Sequence, residues 1–323
     1  MRIAVVHQGA LGDFLLACPV FEGIHRALPQ ALLDIWTKSE HAGLLSTRPY
    51  LGRVFSPDGA ELTHFYHDEL WSRADVPKAF QESDCVLIFG QSAARILSER
   101  LGRRVNRPVH WVQSFPHSEN PIPVTEFLMG QICEKLFPID RAPFRLLPEQ
   151  GDLSAAQSWM AGKADLQGKK AVFIHPGSGG FRKIWPLRRW WALIRWLRER
   201  LEIPVVLTLG PADERLAGFA RESERLGVHV AEGFSLSVLA ALLSHARCFV
   251  GSDSGVSHLA AAVGISTLVI FGVSDQRVWA PSGEAVMVVK DYWDETDVFE
   301  WSSMDGRDFP TAGCAQAVLE KWV

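Results

Sequence analysis

The chain has 323 residues, 47% apolar and 22% charged, with 33 basic against 37 acidic side chains and a formal net charge of −4. These proportions exclude a disordered chain, and the slight acidic excess excludes the charge balance of a nucleic-acid binder. Five scattered cysteines (Cys18, Cys85, Cys133, Cys248, Cys314) form no C-x-x-C pair, which excludes a cysteine zinc cluster and fits a reduced, cytoplasmic compartment.

The start of the chain reads as a strand and a turn, not as the basic and apolar regions of a secretory signal. The longest apolar stretch, Leu259 to Val273, is interrupted by Gly264, Ser266 and Thr267 and is too short to span a bilayer. In chain order, strand-like runs fall at Ile3–His7, Leu32–Trp36, Cys85–Phe89, Ala171–His175, Pro204–Leu209, Val228–Ala231, Cys248–Gly251 and Thr267–Phe271. Helix-like runs fall at Asp13–Ala27, Ala93–Leu101, Thr125–Phe137, Leu187–Leu201, Asp213–Leu226, Ser235–His245 and Val256–Val263. The alternation predicts an α/β fold with parallel sheets. It lapses between Pro138 and Gln167, a stretch with three prolines and two glycines, which is expected to connect two Rossmann-like domains, 1–150 and 151–311.

The first motif is Gln8-Gly9-Ala10-Leu11-Gly12-Asp13, between the first strand and the first helix. Gly9 and Gly12 permit close approach of backbone or ligand. Asp13 falls in the first helical turn, where the helix dipole stabilises a carboxylate. Two roles fit it equally: a cap of its own helix, or a general base at the carboxyl end of a strand. A G-x-G-x-x-G dinucleotide fingerprint is absent here, which speaks against an oxidoreductase.

The second motif follows the Ala171–His175 strand: Pro176-Gly177-Ser178-Gly179-Gly180-Phe181-Arg182-Lys183, then Trp185-Pro186. Amides of Ser178, Gly179 and Gly180 can form an anion nest, with Lys183 as a point charge for phosphate. The alternative is a solvated surface loop; the Walker A spacing is absent. The third motif is Gly251-Ser252-Asp253-Ser254-Gly255-Val256-Ser257-His258. Asp253 and Ser254 are good helix caps, and the helix start at Gly255 and Val256 is a ready pyrophosphate site. His258 fits either a phosphate donor or a satisfied core histidine. Phe271-Gly272-Val273-Ser274-Asp275 ends a further strand in a small polar turn.

Taken together in this order and spacing, the three motifs and the Phe271–Asp275 turn resemble the ADP-heptose:lipopolysaccharide heptosyltransferases, family 9 of the glycosyltransferases. The resemblance covers nearly the whole chain. It implies a GT-B fold, two Rossmann-like domains facing across a cleft, with the acceptor on residues 1–150 and the nucleotide sugar on 151–311. A last helix in 312–323 is expected to cross back to the first domain. Carried over, the family's base matches Asp13, beside the acceptor-side loop of Gly9, Ala10 and Gly12. Its phosphate lysine matches Lys183, and its phosphate loop matches Ser178 and Gly179, continued by Gly180. Its nucleotide-contacting segment matches Asp253, Ser254, Gly255, Val256 and His258. A ribose-contacting acid falls at Asp213 or Glu214, with Glu214 favoured. Two stretches follow no pattern of the family: Asp291–Pro310, rich in acids and Trp, and the loops between Pro49 and Trp71.

The implied reaction is inverting and needs no metal or other cofactor. An acceptor hydroxyl, deprotonated by Asp13, attacks the anomeric carbon, which is worth ~10²–10⁴ in rate. Lys183, the loop amides and the helix at Gly255 stabilise the departing diphosphate. The partners are a nucleotide-sugar donor, ADP-heptose on this resemblance, and a lipid-linked or oligosaccharide acceptor, with no nucleic acid. Arginines in two stretches, Arg95 to Arg107 and Arg188 to Arg200, fit peripheral contact with the inner membrane or merely solvated helix faces. The cluster His64 to Glu69 has metal-ligand residue types but the setting of a polar loop. The alternatives are a relative using another nucleotide sugar or a protein acceptor, or a non-catalytic nucleotide-binding module. Retention of both Asp13 and Lys183 speaks against the last.

Overall fold

The computed structural model describes residues 1–117, 121–299 and 312–323; residues 300–310 of the acid- and Trp-rich stretch lie outside them. Two units emerge, Met1–Phe144 and Arg145–Val323.

The first unit carries β1 (Arg2–His7), β2 (Leu32–Trp36), β3 (Leu51–Phe55), β4 (Cys85–Gly90) and β5 (Val109–Gln113). They form one parallel sheet in the order β3-β2-β1-β4-β5. The second carries β6 (Val172–His175), β7 (Val205–Thr208), β8 (His229–Ala231), β9 (Cys248–Ser252), β10 (Thr267–Phe271) and β11 (Val286–Lys290). These also run parallel, in the order β11-β10-β9-β6-β7-β8. Strands β6, β9 and β10 are buried along their whole length, as strands covered by helices on both faces must be. Each sheet has a switch point where strand order reverses, between β1 and β4 and between β6 and β9, and ligands of open α/β sheets bind outside the strand ends there.

Every expected strand is present, with bounds shifted by a residue or so. The edge strands β3, β5 and β11 were not expected; Leu51–Phe55 and Val109–Gln113 mix polar residues into short runs. The Pro138–Gln167 stretch is not wholly a connection. Gln150–Ala161 is a helix of the second unit, and its Trp159 meets Phe234 edge-on, with ring centroids 5.8 Å apart. The terminal helix, Gly313–Leu319, expected to return to the first domain, is instead part of the second unit's core. Ala312, Ala315, Val318 and Leu319 join Trp185, Trp190 and Phe219 there. Trp185 and Trp190, both fully buried, pack edge-on at 5.0 Å. Each contributes on the order of 1.5–3 kcal/mol by burial.

Candidate functional site

In the first unit the candidate residues sit at the β1 end of the β1/β4 switch point. The helix Leu11–Ala27 begins without a Ser or Thr cap; Ala10 occupies the cap position and Asp13 the third helical position. The Ala10 amide donates to Asp13 Oδ2 at 3.2 Å, so the carboxylate satisfies one orphan amide of its own helix. Gly12 lies inside the first turn. Gly9 has a packing reason: a Cβ there would lie 2.9 Å from His7 Cε1 and 3.0 Å from Asp13 Cβ. His7 is buried at the end of β1, edge-on to Phe14 at 5.3 Å. Burial pushes its pKa down to about 4, assisted by nearby His41, so its ring is neutral near pH 7.

The loops between Pro49 and Trp71 are tied to this turn. Gln8 Nε2 donates to the Pro57 carbonyl at 3.1 Å, and the Tyr66 hydroxyl donates to Gln8 Oε1 at 2.5 Å. Arg100 pairs with Asp68 and donates to the Phe65 carbonyl; Arg104 donates to the carbonyls of Trp71 and Ala74. Four arginines of the other basic stretch are likewise partnered: Arg188 with Asp297, Arg189 with Asp291, Arg195 with Glu199 and Arg198 with Asp165. Much of the basic surface is thus spent on its own chain. No helix among the described residues is long and apolar enough to cross a membrane, and no three of their His, Cys, Asp or Glu side chains could jointly hold a metal ion.

In the second unit the β6 and β9 loops meet at the switch point. The β6 loop ends in a short 3₁₀ turn, Phe181–Lys183. Lys183 Nζ lies 3.0 Å from Asp253 Oδ2, with its side chain 36% exposed against 6% for Asp253. Asp253 Oδ2 also accepts from the Ser274 hydroxyl, and the Ser178 hydroxyl donates to the Asp253 carbonyl at 2.7 Å. The second and third motifs and the Phe271–Asp275 turn therefore meet at Asp253. Ser254 caps the helix Gly255–Val263, its hydroxyl accepting from the Ser257 amide; Val256 lies in the first turn. His258 is buried on that helix. Burial lowers its pKa to about 4, with Asp253 opposing and Lys183 adding to the shift, which makes it a neutral ring.

The glycines of the β6 loop differ in purpose. A Cβ on Gly177 would fall 1.9 Å from Asp213 Oδ1, whereas one on Gly179 would meet nothing within 4 Å, and one on Gly180 only the Lys183 stem at 3.7 Å. Among the described residues, no neighbour demands glycine at 179, which leaves that part of the loop open. Asp213 is buried beneath this loop, accepting from the Gly210 amide at 2.7 Å, with His175 Nε2 at 3.9 Å. Glu214, the favoured ribose contact, is exposed beside it. Nothing local in the sequence marks Asp213 as lying beneath the β6 loop, although Gly-x-x-Asp is a capping-box spacing.

Part of the unfamiliar acidic stretch braces the same loop. Asp291 accepts from the Trp185 indole at 2.6 Å and from Arg189. Arg182 pairs with Glu295, and Trp293 packs against Gly272, where a Cβ would lie 2.2 Å from its ring.

The sequence profile of glycosyltransferase family 9 (heptosyltransferase) matches residues 143–306, just over half of the chain. The lipopolysaccharide heptosyltransferase 3 of Escherichia coli is 26% identical over 324 residues, covering 93% of this chain and 88% of its own. Among solved structures, a glycosyl transferase family 9 protein from Veillonella parvula superposes with a TM-score of 0.75 at 17% identity, covering 99% of this chain and 97% of its own. The E. coli ADP-heptose lps heptosyltransferase II gives 0.72 at 17% identity, covering 100% and 98%. These likenesses show the fold, two parallel-sheet α/β units of GT-B type. With the profile match spanning the β6 to β11 motifs, the chain belongs to glycosyltransferase family 9.

Proposed function

We propose that this glycosyltransferase moves a heptose from ADP-heptose to a lipopolysaccharide core acceptor by a single inverting displacement that needs no metal ion. The observation that carries the reading is the Lys183–Asp253 pair at the β6/β9 switch point, 3.0 Å apart. An ammonium suits a diphosphate, while a carboxylate repels one and accepts from hydroxyls. A cation and a carboxylate side by side therefore suit a diphosphate joined to a sugar, better than a bare nucleotide. The names of its relatives, lipopolysaccharide heptosyltransferase 3 and ADP-heptose lps heptosyltransferase II, supply the donor and acceptor class.

In this reading the donor occupies the second unit. Lys183, the amides of Ser178, Gly179 and Gly180, and the helix start at Gly255 and Val256 receive the charge that builds on the leaving diphosphate. Fixed cations and amides supply what a divalent ion would otherwise supply. Ser254 and His258 shape that helix start, and Glu214 is placed at the ribose. The acceptor occupies the first unit, and its hydroxyl gives its proton to Asp13. The Ala10 amide holds one oxygen of that carboxylate and so fixes its orientation at the start of the helix. One displacement inverts the anomeric centre, with no nucleophile from the protein. The enzyme works at the cytoplasmic face of the inner membrane, where the lipid-linked acceptor places it.

The test is a donor panel followed by one substitution. ADP-heptose should raise the melting temperature above any shift from UDP-, GDP- or CMP-sugars. Asp13→Asn should keep that shift and lose transfer by ~10²-fold or more. A shift from another nucleotide class alone would overturn the donor, and near wild-type transfer by Asp13→Asn would remove it as the base.

A further inference from the structure

We propose that Trp279 supplies the face on which the donor's sugar ring packs, and so helps to determine which sugar is accepted. The inference rests on the donor reading above and extends it to a residue that the motifs did not single out.

Trp279 ends the short helix Gln276–Trp279 that follows β10. The turn before it is firmly held. Asp275 accepts from the Arg277 amide at 2.9 Å, and its carbonyl accepts from the Val278 and Trp279 amides at 3.1 and 3.0 Å. Lys290 Nζ donates to the carbonyls of Gly272 and Ser274, the latter at 3.1 Å. The same turn carries Ser274, whose hydroxyl binds Asp253. One rigid turn thus places both Asp253's partner and the indole.

The indole faces the charged pair. Lys183 Nζ lies 5.9 Å from the ring centroid, the outer range of a cation–π contact, and 3.0 Å from Asp253. Trp279 is half-buried. An acceptor of hydroxyls, a donor to hydroxyls and an aromatic ring therefore lie beside one another. This is the complement of a pyranose, which presents a face of C–H groups and a rim of hydroxyls. A bare nucleoside diphosphate needs the ammonium but has no use for the aromatic face. That difference separates sugar recognition from diphosphate recognition in one measurement.

The experiment is calorimetric titration of ADP and of ADP-heptose into the wild type, Trp279→Ala and Trp279→Phe, with melting curves to establish folding. Trp279→Ala should bind ADP as the wild type does and lose roughly two- to twelvefold in ADP-heptose affinity, the range for an aromatic contact. Trp279→Phe, which keeps an aromatic face, should recover part of the loss. A role in folding or in holding Lys183 would lower both affinities together, and that result overturns the inference. Unchanged ADP-heptose affinity in Trp279→Ala, or in Trp279→Phe should the alanine variant not fold, overturns it as well. Failure of the wild type to bind ADP-heptose would instead overturn the donor reading, and the inference with it.

Discussion

Lys183→Ala offers the sharpest test of the site. The ammonium sits 3.0 Å from Asp253 in the free protein, with 36% of its side chain exposed. A pair so open to water contributes on the order of 1 kcal/mol or less to the fold, and Asp253 keeps the Ser274 hydroxyl when Lys183 is gone. The melting temperature should therefore move by only a few degrees, roughly 2–4 °C per kcal/mol for a chain of this size class. Ligand binding should respond far more. A charge-assisted hydrogen bond to phosphate is worth about 1.5–3 kcal/mol, or roughly 10- to 150-fold in ADP affinity. The substitution also leaves the Asp253 carboxylate facing the diphosphate without its counter-charge, and that repulsion acts in the same direction. Calorimetric titration of ADP reads the total. The double variant Lys183→Ala with Asp253→Asn should bind ADP more tightly than Lys183→Ala alone, because the repulsion is removed. Wild-type ADP affinity in Lys183→Ala would place the diphosphate elsewhere and dissolve the argument from the switch point.

Two other predictions concern conditions. Transfer should persist in excess EDTA, measured as ADP release; complete loss, restored by Mg²⁺ or Mn²⁺, would show that a metal holds the diphosphate. Stability should fall between pH 7 and pH 5. His7 and His258, whose pKa values burial lowers from 6.5 to about 4, stay neutral in the fold while the unfolded chain takes up protons. Their contribution is complete above pH 6.5 and is lost as the pH falls towards 4, on the order of 2 kcal/mol each by pH 5. Melting curves across that range should show the decline, shallower for His258→Gln; a flat profile would contradict the burial argument.

Much of the candidate site was legible because its signals are local. A strand feeding a Gly turn feeding a helix is written in a dozen consecutive residues, and both the Asp13 turn and the Asp253 helix start form where those patterns lie. The Gly-rich loop after β6 was legible for the same reason, and Lys183 stands at its end. The capping role of Asp13 was one of two open roles, and its bond to the Ala10 amide shows that the cap exists; catalysis by the same carboxylate is left to its test. Less was legible where a residue's meaning depends on a partner far along the chain. Asp213 and Glu214 are adjacent and chemically alike, yet one is buried under Gly177 and the other exposed. Trp279 is unremarkable in sequence, and Ser274 and Asp291 stand there only in a small polar turn and an acidic stretch; what they touch follows from the order β11-β10-β9.

The sequence by itself determined the α/β class, most strands and helices, and the three loops that carry the candidate chemistry. Each of these follows from periodicity and turn residues within a short window, where backbone geometry is set by near neighbours. Only the tertiary structure decided the strand order, the edge strands, and the place of the terminal helix in the second unit's core. It also decided the joining of Lys183, Asp253 and Ser274 into one cluster. Parallel strands meet only through long crossovers, so which loops become neighbours depends on the packing of whole sheets and helices, and no local pattern of residues records it.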